Sequence, residues 1–226
     1  MNKLDRFYRF VEILTAKTPS LKIKYKDESP LMKLIAKLLF FNKNFMTGYI
    51  TTIGDSVYFT DEKSIKEFPL DKMITLAHEY VHIKDSHKYT PILFGSLYLF
   101  PQIFVLLAIP MLFIIGWWGL LFLLFGLPIP AYFRMRFELN GYNMTLFSMN
   151  ELMLESKWTE TPRRKMLEDS ANRINKDAFK GPGYYFMWPM GIQSKFDKTI
   201  DDIISGDILK DDIYQEMRNA IALSRK

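Results

Sequence analysis

A five-residue stretch, His78-Glu79-Tyr80-Val81-His82, has the residue types and the spacing of a hydrolytic metal site. Residues four positions apart lie one turn apart on the same face of a helix, so His78 and His82 can direct ring nitrogens at one metal ion. In zinc hydrolases with this motif, the carboxylate next to the first histidine takes a proton from the activated water and passes it to the leaving amine. The pattern therefore predicts hydrolysis of peptide bonds, with Glu79 as the general base.

A catalytic zinc ion usually takes three protein ligands, so the third must come from elsewhere in the chain. There is no cysteine, and there are only three histidines. His87 does not extend the motif, because the longer form needs glycine at 85 and histidine at 88, where the chain has Asp85 and Lys88. The first carboxylate after a long apolar block is Glu138, and the small residue Gly141 follows it by three positions. We predict Glu138 as the third ligand, because a second metal-bearing helix packed close to the first needs a small residue there.

Other interpretations of these residues stay open. Asp85 either orients a ligand imidazole or is a solvated charge at the end of the helix. The histidines can also simply pair with neighbouring groups. A structural metal clip in a membrane-inserted scaffold is a further alternative, and it would take a fourth protein ligand such as His87. The last is a peptidase-derived binding module that has lost its activity.

The apolar block covers residues 89–133, which are 45 consecutive positions without Lys, Arg, Asp, Glu or His. That length fits two membrane helices, and Pro110 predicts a tight turn between them. Both flanks would then emerge on one side of the membrane, and the positive-inside rule predicts that this side is the cytoplasm. The basic residues that indicate it are Lys84, Lys88, Arg134 and Arg136. A helical pair buried in an oligomer and a re-entrant hairpin are the alternatives.

The remaining segments predict a mostly helical α+β protein. Residues 48–59 are rich in β-branched and aromatic residues around a Gly54-Asp55 turn, which predicts a β-hairpin. Residues 30–41 are predicted to be a core helix. We expect residues 1–88 and 134–226 to be the two parts of one catalytic domain, with 89–133 inserted as a membrane hairpin. The net charge of +5 is mild and argues against a nucleic-acid partner.

The order of these features resembles the gluzincin zinc metallopeptidases, and within them the integral-membrane CAAX prenyl protease and heat-shock membrane protease family. In that family an H-E-x-x-H helix, a membrane hairpin and an E-x-x-A-D-like motif follow one another, and the match here covers about residues 48–156. The resemblance implies a zincin-like fold with Zn²⁺ on His78, His82 and Glu138. The family's aspartate falls on Tyr142 here, so its orienting carboxylate is absent or is supplied by Asp85.

The resemblance also suggests how substrate is bound. An edge strand before the motif helix, formed by residues 48–53 or 56–59, would bind the substrate backbone as an added strand. A phenol from Tyr142, Tyr184 or Tyr185 would stabilise the oxyanion of the transition state. The sequence thus predicts a membrane-anchored zinc endopeptidase that contacts lipid, faces the cytoplasm and cleaves peptides or proteins. It leaves the oligomeric state open.

Overall fold

Helices and one small sheet make up the fold. The computed structural model describes residues 2–39, 42–127, 129–180 and 190–225. The α-helices are α1 (Lys3–Lys17), α2 (Pro30–Leu38), α3 (Glu62–Glu67), α4 (Pro69–Tyr89), α5 (Pro91–Tyr98), α6 (Ala108–Ile115), α7 (Tyr132–Glu155), α8 (Glu160–Ile174), α9 (Ile192–Ser205) and α10 (Asp212–Leu223). Shorter helical segments are the 3₁₀ runs Gln102–Leu107, Gly116–Gly126 and Asp207–Lys210 and the π-helical turn Asn175–Phe179. The prediction of a mostly helical α+β chain is confirmed.

The sheet has three strands, β1 (Lys22–Tyr25), β2 (Thr51–Ile53) and β3 (Ser56–Phe59), in the order β1-β3-β2. β1 runs parallel to β3, and β2 runs antiparallel to it. The predicted hairpin is present, and its turn contains Gly54 with a φ of +55°. Because β3 is paired on both sides, it cannot take an added strand. Within the part of the chain that the structure describes, β1 and β2 each have one unpaired edge.

One hydrophobic core joins the segments on both sides of the apolar block. α1 contributes Phe7, Phe10 and Leu14, which pack against α4 and the sheet. α7 and α10 complete this core from the other flank. The guanidinium of Arg6 in α1 ties these helices together, since it donates to the Glu155 carboxylate at 2.7 Å and to the Ile221 carbonyl at 3.3 Å.

The apolar block folds back on itself at Gly116. This residue ends α6 with a φ of +62°, a conformation that favours glycine. Beyond the reversal, the backbone of Gly119 lies so close to that of Leu112 that an added Cβ would be 2.3 Å from the Leu112 nitrogen. Farther from the turn, the rings of Phe104 and Phe125 pack with centroids 5.1 Å apart. The segments before and after Gly116, the two arms of the hairpin, therefore run antiparallel.

The prediction that the chain reverses at Pro110 is wrong. Pro110 is the third residue of α6, and the first residues of a helix have no intrahelical partner for their N–H groups. Proline is therefore tolerated there without breaking the helix. Most apolar side chains of the block face outward, for example Phe113 and Trp117, which are 84% and 82% exposed. Gln102–Gly126 is long and apolar enough to cross a membrane by length and composition, although the chain reverses within it at Gly116.

The prediction that residues 30–41 form a core helix is only partly correct, since α2 covers Pro30–Leu38 and residues 40 and 41 lie outside the described residues. α2 buries Met32 against Phe45 and Tyr58 in a small cluster of its own. Its leucines do not join the core, and they are 45% (Leu31), 55% (Leu34) and 68% (Leu38) exposed. The apolar residues of this helix thus divide between an inner and an outer face.

Lys26, the residue after β1, is fully buried. Its Nζ donates to the Phe45 carbonyl at 2.6 Å and lies 4.2 Å from the centre of the Phe45 ring. Burial lowers the pKa of Lys26 to about 8, and the negative charge of Glu79 opposes this shift. Between about pH 8 and the ordinary lysine pKa of about 10.4, the unfolded chain binds more protons than the folded chain. Wild-type stability should therefore rise with pH across that window.

We expect Lys26→Met to raise the free energy of unfolding at pH 7 by about 1–3 kcal/mol, because it removes a buried charge. The gain should shrink as the pH rises towards 10, where the wild-type lysine is neutral in the folded chain. Denaturant unfolding of detergent-purified protein measures both effects. Lys22→Met, at an exposed position of β1, is the control and should change stability by less than about 0.5 kcal/mol. A Lys26→Met variant that is less stable than the wild type at pH 7 would show that the bond to Phe45 outweighs desolvation.

Candidate metal centre

The three predicted metal ligands converge between α4 and α7. His78 and His82 lie one turn apart on α4, and their Nε2 atoms are 3.2 Å apart. The Glu138 carboxylate of α7 reaches both rings, at 3.5 Å from His78 Nε2 and 3.7 Å from His82 Nε2. All three side chains are buried, and one donor atom of each lies within 4.8 Å of the others. This buried His-His-Glu group could bind a metal ion.

The charges in this group stabilise one another. Burial disfavours the imidazolium of His78, but the hydrogen bond to Glu138 and the negative charges of Glu79 and Glu138 raise the pKa of His78 above its ordinary value. Burial would raise the pKa of Glu138, yet the hydrogen bond from His78 and the charges of both histidines lower it to about 2. An ionised carboxylate beside two ring nitrogens is a donor set that suits a divalent cation.

Thr145 orients the first histidine. Its hydroxyl donates to the Gly141 carbonyl at 3.3 Å, so its oxygen is left to accept from His78 Nδ1 at 3.2 Å. With its Nδ1 proton accepted by Thr145, His78 directs Nε2 at Glu138, and Nε2 would bind a metal ion after giving up the proton that it shares with this carboxylate. Thr145 thus takes the orienting role for which the sequence analysis found no aspartate.

Asp85 does not orient a ligand. Its carboxylate accepts from the Asn140 amide at 3.5 Å, and burial raises its pKa. His82 Nδ1 is buried and makes no hydrogen bond with the part of the chain that the structure describes. The orienting role considered for Asp85 is therefore not observed.

Gly141 permits the close approach of α7 to α4. A Cβ at this position would lie 2.6 Å from Nε2 and 2.7 Å from Cε1 of His78. These distances are far below van der Waals contact, so any other residue would displace the imidazole. The small residue predicted three positions after Glu138 is a direct steric requirement of the site.

Glu79 lies beside the ligand group without belonging to it. Its carboxylate is buried and accepts a hydrogen bond of 2.7 Å from the hydroxyl of Thr52. Thr52 is in β2, so one of the two edge strands of the sheet lies next to Glu79. A carboxylate, a metal-ligand group and a sheet edge thus lie together.

His87 is not a fourth ligand. Its Nε2 lies 2.6 Å from the Asp55 carboxylate, in the turn between β2 and β3. Within the ranges that the structure describes, the one group of three or more histidines and carboxylates at metal-binding distances is His78, His82 and Glu138. Three protein ligands are the number typical of a catalytic zinc site rather than a structural one.

Of the three tyrosines proposed for the oxyanion, only Tyr142 lies in the described residues, and Tyr184 and Tyr185 lie outside them. The Tyr142 ring packs edge-on against His78 with centroids 4.7 Å apart, and against Phe179 at 5.7 Å. It therefore supports the ligand ring from the side.

Tyr98 is a site residue that sequence reasoning missed. It ends α5, in the apolar block, and its hydroxyl donates to Oε1 of Glu138. Arg134 holds it in place, since Nε donates to the Tyr98 carbonyl at 3.0 Å and the guanidinium lies 4.9 Å from the ring centre. The available sequence signal was weak: a phenol in an apolar helix needs a hydrogen-bond partner, but the sequence does not say which.

Gly141→Ala should abolish metal binding while the fold is retained, because the added Cβ displaces one imidazole and not the backbone of α4. We expect the metal content of the purified variant to fall at least about tenfold, because a displaced imidazole removes one of the three ligands. Mass spectrometry of metal content, with circular dichroism of the same preparation, measures both. Gly95→Ala is a matched control in α5, where an added Cβ meets nothing within 4 Å. Wild-type metal content in the Gly141→Ala variant would contradict the proposed packing.

Tyr98→Phe removes the hydrogen bond to Glu138 and keeps the ring. We expect the metal dissociation constant to rise about tenfold, because partners that hold a ligand carboxylate contribute to affinity at about that level. Titration against a chelating dye measures it. Tyr132→Phe, at a tyrosine of α7 that is 47% exposed, should bind metal as the wild type does. Equal affinity in both variants would show that Tyr98 does not support Glu138.

Comparisons of the chain with protein-family models, with curated proteins and with solved structures found no match. The relationship to the membrane gluzincins therefore stays a prediction that rests on the residues of this chain and their order.

Proposed function

We propose that this chain is a membrane-anchored, zinc-dependent endopeptidase with a zincin-like catalytic domain, similar to the CAAX prenyl protease and heat-shock membrane protease family. The observation that carries the proposal is the buried group of His78, His82 and Glu138 with the separate carboxylate of Glu79 beside it. Two imidazoles and one carboxylate are a common ligand set of catalytic zinc. Both the zinc and the peptidase activity belong to this proposal.

Zinc in this site would supply a Lewis acid that lowers the pKa of water and polarises a peptide carbonyl. Glu79 is the base that accepts the proton and returns it to the leaving nitrogen. The hydroxyl of Thr52 fixes the orientation of that carboxylate through Oε2, which leaves Oε1 to move the proton. Tyr98 and Thr145 hold Glu138 and His78 in position.

The free edge of β2 would bind substrate. An extended peptide added to this edge forms main-chain hydrogen bonds with the strand next to Glu79. This mode reads the backbone rather than particular side chains, so it suits an endopeptidase that cleaves extended segments of peptides or proteins.

The apolar hairpin would anchor the protein in the membrane, with the catalytic domain on the cytoplasmic side. The outward-facing apolar side chains support insertion, and the basic residues at its two ends support this orientation. The arm Gln102–Ile115 is about 24 Å long and the arm Gly116–Gly126 about 22 Å, from the helical rises. Both are shorter than the hydrocarbon core of about 30 Å, so a full crossing also needs residues of α5 and the segment before α7.

Glu79→Gln should separate catalysis from metal binding. We expect cleavage of an unstructured protein such as casein to fall by at least about 10²-fold, because the amide cannot accept the proton. Metal content should stay near that of the wild type, since Glu79 is not in the ligand group. Glu67→Gln, at an exposed position of α3, is the control and should retain activity.

Cleavage at the wild-type rate by the Glu79→Gln variant would contradict the proposed base. A wild-type protein that binds metal fully and cleaves no member of a peptide library would favour the alternatives, a structural metal clip or an inactive binding module.

A further inference from the structure

The outer face of α2 presents apolar side chains that the rest of the described chain does not cover. Leu31, Leu34 and Leu38 are 45%, 55% and 68% exposed. At about 100° per residue they fall within an arc of about 60° on the helix. The inner face, with Met32 at its centre, is about 120° away. These leucines thus form a continuous stripe on the surface.

A second stripe next to the leucines is basic. The face of α2 opposite Met32 points outward. The leucines lie on one side of this outward face, and the exposed Lys33 and Lys37 lie on its other side. Lys43 follows shortly after the helix and is also exposed. Residues 30–47 contain these three lysines and no aspartate or glutamate. Two exposed acidic residues, Asp27 and Glu28, precede the helix. The helix itself is therefore amphipathic and basic.

We propose that α2 is an interfacial helix that lies on an anionic lipid bilayer, with its leucine stripe among the acyl chains and its lysines at the headgroups. This combination of an apolar stripe flanked by lysine is typical of helices that bind in the plane of a membrane surface. The lysine stripe is complementary to anionic headgroups. A symmetric contact with a second copy of this chain would instead bring two basic stripes together.

This inference is independent of the peptidase proposal, since it uses no residue of the metal centre. If α2 binds lipid, the position of the sheet relative to the membrane is affected. α2 lies between β1 and β2 in the chain and packs on Tyr58 of β3. A contact between α2 and lipid would therefore be a second attachment to the membrane besides the hairpin. It would fix the distance and orientation of the sheet, with the free edge of β2, relative to the membrane surface.

The absence of cysteine allows a direct test, because one introduced cysteine is the only labelling site. Leu34→Cys, Lys63→Cys and Phe113→Cys are each labelled with an environment-sensitive fluorophore and reconstituted as the full chain into vesicles with phosphatidylglycerol. Lipids with nitroxide groups on the acyl chains serve as quenchers. Lys63 lies on α3 with its side chain 81% exposed and is the aqueous control. A label at position 113 in the hairpin is quenched when the protein has inserted into the bilayer. Only preparations made under conditions that give this quenching are compared.

We expect the label at position 34 to be quenched at least about twofold and that at position 63 to stay near its value in water. Exchanging both Lys33 and Lys37 for glutamine should reduce quenching at position 34 in anionic vesicles. Emission at position 34 equal to that at position 63 would overturn the proposal. So would a blue-shifted emission that nitroxide lipids do not quench, which would assign the leucine stripe to a protein contact.

Discussion

The contact between Gly141 and the imidazole of His78 is the constraint on which the candidate metal centre depends. Because α7 has no side chain at that point, it approaches α4 closely enough for the Glu138 carboxylate, one turn earlier, to reach both ligand histidines. Any larger residue would displace the ring and would lengthen the distances that make the group a metal site. The reversal of the chain within the apolar block also helps to bring α4 and α7 together. α4 leads into the block and α7 leads out of it, so the two ligand-bearing helices lie side by side.

The apolar hairpin is part of this geometry as well as the proposed anchor. α5 places the hydroxyl of Tyr98 on Glu138, and Arg134 at the start of α7 holds Tyr98 by its carbonyl and its ring. The position of the hairpin and that of the Glu138 carboxylate are therefore linked through two side chains. If the hairpin inserts into a bilayer as proposed, a change in its position there would be transmitted to the carboxylate. Purified protein in detergent should accordingly be compared with protein in lipid when metal affinity is measured.

The grouping of His78, His82 and Glu138 could be predicted from residue spacing within one helix and from the order of segments along the chain. The spacing of the histidines defines one helix face, and Glu138 is the first carboxylate after the block. The reversal was misplaced because proline is tolerated in the first turn of α6, whereas Gly116 has the φ that only glycine adopts readily. Tyr98 and Thr145 could not be identified, because their roles depend on which side chains the packed helices bring within hydrogen-bonding distance. The exposure of α2 was missed because apolar content does not distinguish a core helix from one on a surface.

The energetics of the α4–α7 interface favour a functional site over a structural one. Two imidazoles and a carboxylate buried between helices lose hydration, and apolar residues of similar volume would avoid that cost. A divalent cation at the converging donor atoms would compensate for it and would couple metal binding to the stability of the interface. A structural metal would do the same, but it would not require Glu79. This carboxylate is buried outside the ligand group and is held by Thr52 beside a free sheet edge. Metal binding alone does not explain why this carboxylate is buried, whereas the proposed role in proton transfer to bound substrate would explain it.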